Sequence, residues 1–141
     1  MIHPQNTKLV QVILPQEIGT TEVTGTFDIL GFDYATVIFD LDTASASSVI
    51  TSAALDEATA SNGSYTAIAA FAGGTAWTFP TPNTNTGDLI AFHVNTVPRK
   101  RYLSVGFAST TARLASVHVM LSRAHTGPDS DTERGATTVV G

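Results

Sequence analysis

Apolar and polar residues alternate at short intervals along most of this chain, which is the mark of strands buried on one face. From Tyr34 to Asp42, the residues Ala35, Val37, Phe39 and Leu41 share a face opposite Thr36, Asp40 and Asp42, with Ile38 out of step. From Asp88 to Asn95, Ile90, Phe92 and Val94 oppose His93 and Asn95. Leu103, Val105 and Phe107 oppose Tyr102, Ser104 and Gly106 between Arg101 and Ala108. Between Ala112 and Ser122, Ala115, Val117, Val119 and Leu121 alternate with Leu114, Ser116, His118 and Met120. Lys8 to Leu14 and Thr21 to Phe27 are further strands, the second interrupted by Gly25.

The middle of the chain reads less regularly. Ala44 to Ala60 is rich in Ala and Ser, and Thr43 can serve as an N-cap, so a helix is open there. Its apolar residues keep no 3.6-residue stripe, and Ser and Thr suit helix interiors poorly. A strand through Val49 to Glu57 is preferred, followed by a hairpin turn at Ser61-Asn62-Gly63 and a strand from Ser64 to Phe71. Asn-Gly suits such a turn because both residues tolerate positive φ. The longest loop runs from Gly73 to Gly87 and holds the single tryptophan, Trp77. Trp77 and Phe79 either tuck back onto the core or anchor an interface, where Trp is over-represented.

About eight strands without crossover helices predict an all-β protein, an antiparallel β-sandwich of jelly-roll type. The expected layout is an arm over residues 1–7, the sandwich over 8–123 and an extended tail over 124–141. Gly127-Pro128 stops the last strand. Thr137 to Val140 is strand-like again and either adds to the sheet edge of a neighbour or frays as a chain terminus.

Composition agrees with strands. Charged residues make up 13% of the chain, too few for long amphipathic helices, while Thr and Val abound with 11 Gly and 6 Pro. At 141 residues the chain can bury a core without staples, and it has no cysteine for a disulfide, a thiolate zinc site or a thiol nucleophile. No apolar run reaches the roughly 18–20 residues that span a bilayer, and Met1 to Gln11 lacks the features of a signal peptide. A soluble protein without an export signal is the expectation, with no membrane partner.

Charge is split along the chain. Residues 1–98 carry one basic side chain, Lys8, against nine acids, a balance of −8. Residues 99–141 carry six arginines and lysines against three acids, a balance of +3. The net −5 argues against nucleic acid, which is held through many phosphate contacts. The basic triplet Arg99-Lys100-Arg101 is either a solvated strand edge or a patch meeting an acidic face on another copy.

Motifs for chemistry are missing. The sequence contains no nucleophile elbow, phosphate-binding loop, dinucleotide fingerprint or H-E-x-x-H pair. The H-x-H pair of cupins is also absent, and His3, His93, His118 and His125 are dispersed. His93 and His118 converge only if their strands pair. Asp40 and Asp42 share a face, yet no calcium-loop spacing surrounds them, so they read as solubilising residues. Asn62-Gly63-Ser64 reads as a turn. No catalytic residue, cofactor or metal is expected.

Two segments resemble a known group. Phe27-Asp28-Ile29-Leu30-Gly31-Phe32-Asp33-Tyr34-Ala35-Thr36-Val37 is similar to a segment common in small structural proteins of tailed bacteriophages, and Arg101-Tyr102-Leu103-Ser104-Val105 to their "RY" strand. Leu55-Asp56-Glu57 with Asn62-Gly63-Ser64, and the run from Val117 to Arg123 with Pro128, resemble further stretches. Ser104 stands where those proteins carry Arg, and the Trp77 to Asp88 loop falls outside the matched motifs. The resemblance implies a capsid decoration (cement) protein, made in the host cytoplasm and seated on the outside of a phage head. The major capsid protein would then be its partner, and it would act as a homo-oligomer, a trimer at local three-fold positions.

Leu114, Met120, Ile38 and Tyr102 are apolar where alternation asks for polar residues, as a second buried surface would require. The candidate interface is therefore Trp77, Phe79, Tyr102, Leu114 and Met120 with Arg99, Lys100 and Arg101. Three other readings stand beside it. One is a tail or head–tail junction component. Another is a carbohydrate-binding sandwich that stacks sugar on Trp77 beside Asn83 and Asn85, and the last is an enzyme using His93 or His118.

Overall fold

The computed structural model describes residues 7–44, 48–122 and 138–140, the last three by their backbone. Among the described residues nine strands follow one another: β1 (Lys8–Ile18), β2 (Val23–Asp28), β3 (Tyr34–Leu41), β4 (Ile50–Ala58), β5 (Thr66–Ala67), β6 (Asp88–Asn95), β7 (Tyr102–Ser109), β8 (Arg113–Ser122) and β9 (Thr138–Val140). They form two sheets, ordered β1-β8-β3-β6-β9 and β2-β7-β4-β5.

The pairing is nested. β4 pairs β5, β3 pairs β6, β2 pairs β7 and β1 pairs β8, all antiparallel. A chain laid out as one long hairpin, with its tip between β4 and β5, gives those four pairs. Rolling that hairpin puts successive rungs in opposite sheets, and the additional pairs β3–β8 and β4–β7 close each sheet. The result is a jelly-roll sandwich.

Strand alternation puts the core where the sequence pattern placed it. Ala35, Val37, Phe39 and Leu41 of β3 face Leu103, Val105 and Phe107 of the other sheet, all buried. Phe39 and Phe92 meet edge to face at 4.9 Å, a geometry rings prefer to a flat stack. Each buried Phe, Leu or Ile contributes about 1.5–3 kcal/mol relative to exposure. Residues 50–58 are a strand, because Ile50, Ala53, Leu55 and Ala58 are needed to line the inner sheet rather than a helix face.

Three local expectations change. The strand expected from Ser64 to Phe71 stops after Thr66–Ala67 and gives way to a 3-10 turn over Ala69–Phe71. Ile68 and Phe71 are both buried, and a three-residue repeat puts both on one side where strand alternation would split them. The turn before β5 also differs. Gly63 N donates to Ala60 O, so Asn62-Gly63 sits at the end of the turn, and neither residue has positive φ. Finally, β9 pairs parallel with β6 of the same chain, Ile90 opposite Thr138 and Phe92 opposite Val140. The expected strand exists, and the edge it joins is the chain's own. The predicted stop at Gly127-Pro128 lies outside the described residues.

Register fixes two ends. The upper end holds the β2–β3 and β6–β7 loops, the β4–β5 turn, the start of β1 and the finish of β8. The lower end holds the β1–β2, β3–β4 and β7–β8 connections. Eight-residue strands separate the ends by roughly 25 Å.

Candidate interaction site

The β2–β3 and β6–β7 loops are locked together at the upper end. Phe27 pairs Leu103 and Asp28 pairs Tyr102, which brings Arg101 beside Asp28. Arg101 donates from Nε and Nη2 to both carboxylate oxygens, at 3.1, 3.0 and 2.7 Å. Asp28 also accepts the Leu30 N–H at 2.9 Å, and Ile29 N donates to Arg101 O at 3.0 Å. Phe32 N closes a turn on Ile29 O, with Gly31 in the left-handed region at φ 86°. On the other loop, Thr96 Oγ1 donates to Phe32 O at 2.6 Å and Thr96 N to Asp33 O at 3.1 Å.

These bonds leave two apolar side chains standing out. Leu30 is 64% exposed and Val97 72%, at the rim of a cleft floored by Ile29, Phe32 and Thr96 and bordered by Arg99 and Arg101. Aliphatic tips of this size held on a hydrogen-bonded platform suit contact with another macromolecule. The electrostatics are largely internal. The Arg101 guanidinium holds the Asp28 carboxyl below its usual range, and Asp28 in turn raises Arg101. The Arg101 guanidinium also sits 5.0 Å from the Tyr102 ring centre, a cation–π contact.

The anticipated interface residues do not form one patch. Arg99, Lys100, Arg101 and Tyr102 gather at the upper end, but two of the cations are matched within the chain. Arg99 lies 3.9 Å from Glu57, Arg101 is paired with Asp28, and Lys100 N donates to Glu57. Arg99 and Arg101 thus have acidic partners within the chain, and Lys100 has no side-chain ion pair among the described residues. Met120 is half-buried on the outer face of the five-stranded sheet, opposite Leu9 and Thr36. Leu114 is 50% exposed at the lower end, in a hollow with Pro15, Asp40, Asp42 and Ser116.

Trp77 and Phe79 fold inward. Trp77 meets Phe92 at 5.5 Å and Phe79 at 5.2 Å, both edge to face, and the pair packs against the core. Gly73 N donates to Ala53 O, and a Cβ at Gly73 would run into the Phe79 ring, so that glycine lets the loop close over the sandwich. Of the polar residues that the sugar-binding reading sets beside Trp77, Asn83 accepts at Oδ1 from Asn85 N and Thr86 N of its own loop.

His93 and His118 are kept apart by β3, which lies between their strands. His93 falls in the row of Thr36 and Met120, and His118 in the row of Ile38 and Ala91. His93 packs on Tyr34, and His118 Nε2 lies 3.1 Å from Ser116 Oγ. Among the described residues no three His, Asp or Glu side chains group to hold a metal ion.

Sequence reasoning missed the tips Leu30 and Val97, which break no alternation because they lie in loops. It also missed a carboxylate pair on the outer face of the four-stranded sheet. Glu22 lies across Gly106 and accepts from Ser52 Oγ, and Asp56 shares that face. Burial, then the charge of Glu22, raises Asp56 above the usual carboxylate range.

No family model matches the chain, and no curated protein matches it. Among solved structures it is similar to a family GH115 4-O-methyl-α-glucuronidase with specificity for decorated arabinogalactans, at 13% identity and a TM-score of 0.42. That likeness covers 84% of this chain and 16% of the glucuronidase.

Proposed function

We propose that this chain is a virion structural protein that decorates the outside of a tailed-phage head as a homo-oligomer, a trimer, bound to the major capsid protein. The observation that carries this reading is the junction of its two phage-like segments. Phe27 to Val37 and Arg101 to Val105 are far apart in sequence, yet they form one unit through the Phe27–Leu103 and Asp28–Tyr102 pairs and the Arg101–Asp28 ion pair. The residues that resemble phage proteins are thus the ones that build the upper-end platform.

A cement protein acts mechanically and requires no reaction centre. Many copies, each making modest contacts across capsomer boundaries, resist opening of the shell through their sum. An all-β sandwich with a dense core supplies a rigid body for such contacts. The direct test is binding of purified protein to heads stripped of it. Co-sedimentation that saturates at a fixed ratio to the major capsid protein, with heads then surviving higher temperature, supports the reading. Protein that stays in the supernatant at saturating concentration contradicts it.

A further inference from the structure

We propose that copies of this protein associate head to tail, the upper end of one seated in the lower end of the next. This rests on charge and shape in the free chain and not on the shell-binding reading, so the two can fail separately.

Among the described residues, the three internal ion pairs Arg99–Glu57, Arg101–Asp28 and Arg113–Asp88 engage three of the five Lys and Arg side chains. Among the described residues the Lys and Arg side chains outside these pairs are Lys8 and Lys100, both at the upper end, where the exposed Asp33 offsets one of them. The lower end carries Glu17, Glu22, Asp40 and Asp42, with no unpaired cation among them. Opposite charges left over at opposite ends cannot meet inside one copy, because the length of the strands separates them. They can meet between copies.

Shape follows charge. Leu30 and Val97 project from the upper end, whereas the exposed Leu114 lies in a hollow with Pro15, Ala115 and Ser116 at the lower end, rimmed by Asp40 and Asp42. An apolar cleft rim beside Lys100 is complementary in charge to an apolar hollow flanked by carboxylates. Charge sets direction and register, and aliphatic burial supplies affinity. Two different surfaces on opposite ends make a heterologous contact. Such contacts close into rings or continue as filaments, and they do not stop at a two-fold dimer.

Sedimentation velocity on the full chain tests this with two variants in exposed positions. The lower-end variant is Asp40→Asn with Asp42→Asn and Leu114→Asn. The upper-end variant is Leu30→Asn with Val97→Asn and Lys100→Ser. The native chain should form species larger than a dimer as concentration rises, weakening between about 0.05 and 0.5 M salt. Each variant alone, folded by circular dichroism, should associate at least about tenfold more weakly. Mixed together they should yield a one-to-one dimer that grows no further, since each supplies one intact end. A native chain that stays monomeric or stops at a dimer overturns the proposal. So does association unchanged by either variant, or a mixture that fails to pair.

Discussion

The guanidinium of Arg113 and the carboxylate of Asp88 meet inside the sandwich at 3.3 Å, with 1% and 2% of their side chains exposed. The pair ties the start of β8 to the start of β6 across the end of β3, where Arg113 also donates to the Asp42 carbonyl. Asp88 Oδ2 further accepts the Asn83 N–H at 3.3 Å, which pins the end of the long loop. Among the described residues, Arg113 Nε and Nη1 find no acceptor. Arg113→Met should therefore cost about 3–5 kcal/mol in chemical denaturation, because it strands a buried carboxylate. Arg113→Met with Asp88→Leu should recover most of that loss. A single variant within about 1 kcal/mol of the native chain would show that Asp88 is not held as a buried ion.

Asp56 gives a pH dependence of definite sign. Its folded carboxyl titrates above the ordinary range, so folding binds more protons than unfolding between the unfolded and folded values. Stability from this group is present at low pH and declines as pH rises through the folded value. Asp56→Asn should raise the melting temperature at pH 7, and the advantage should vanish below about pH 4. Glu22→Gln should reduce the same penalty, since Glu22 contributes to it.

The Arg101–Asp28 pair carries the opposite sign. Arg101 lowers the Asp28 carboxyl, so its contribution is present above the ordinary carboxylate range and is lost as pH falls through the lowered value. In a carboxyl-carbon NMR titration, Arg101→Gln should move the Asp28 midpoint upward. The stability change should be small, because the pair is exposed to solvent. An unmoved Asp28 midpoint would mean that the pair does not persist in solution.

Gly73→Ala places a methyl against the Phe79 ring and the Ala53 carbonyl. Overpacking of this kind costs about 1–3 kcal/mol. Trp77 is the only tryptophan and rests on Phe79 and Phe92, so fluorescence reports the same event directly. The emission should shift to longer wavelength in the variant. A native-like spectrum with native stability would place Phe79 elsewhere.

The core was legible because strand alternation is a local rule with a global consequence. Once Val37, Phe39, Phe92, Val105, Phe107 and Val119 share inner faces, two sheets must close on them. Three-residue spacing at Ile68 and Phe71 was not read, because strand and 3-10 geometry differ there by a single residue of phase. Ion pairs were harder still. Arg101 and Asp28, or Arg113 and Asp88, are brought together by strand order, and composition registers only that basic residues cluster late in the chain. Trp77 shows the same limit from the other side. A tryptophan in a long loop suits an anchor or a core plug equally, and only the close approach at Gly73 decides for packing.

A shell-decorating protein occupies a fixed share of lattice positions, so its copy number on the virion is the quantity to measure. Quantitative mass spectrometry on purified particles, taken against the most abundant shell protein, gives the ratio. Decoration of the lattice predicts between about one-to-three and one-to-one. Absence of the chain from those particles would contradict the account, and a few copies per particle would move it from the shell to the tail or the head–tail junction.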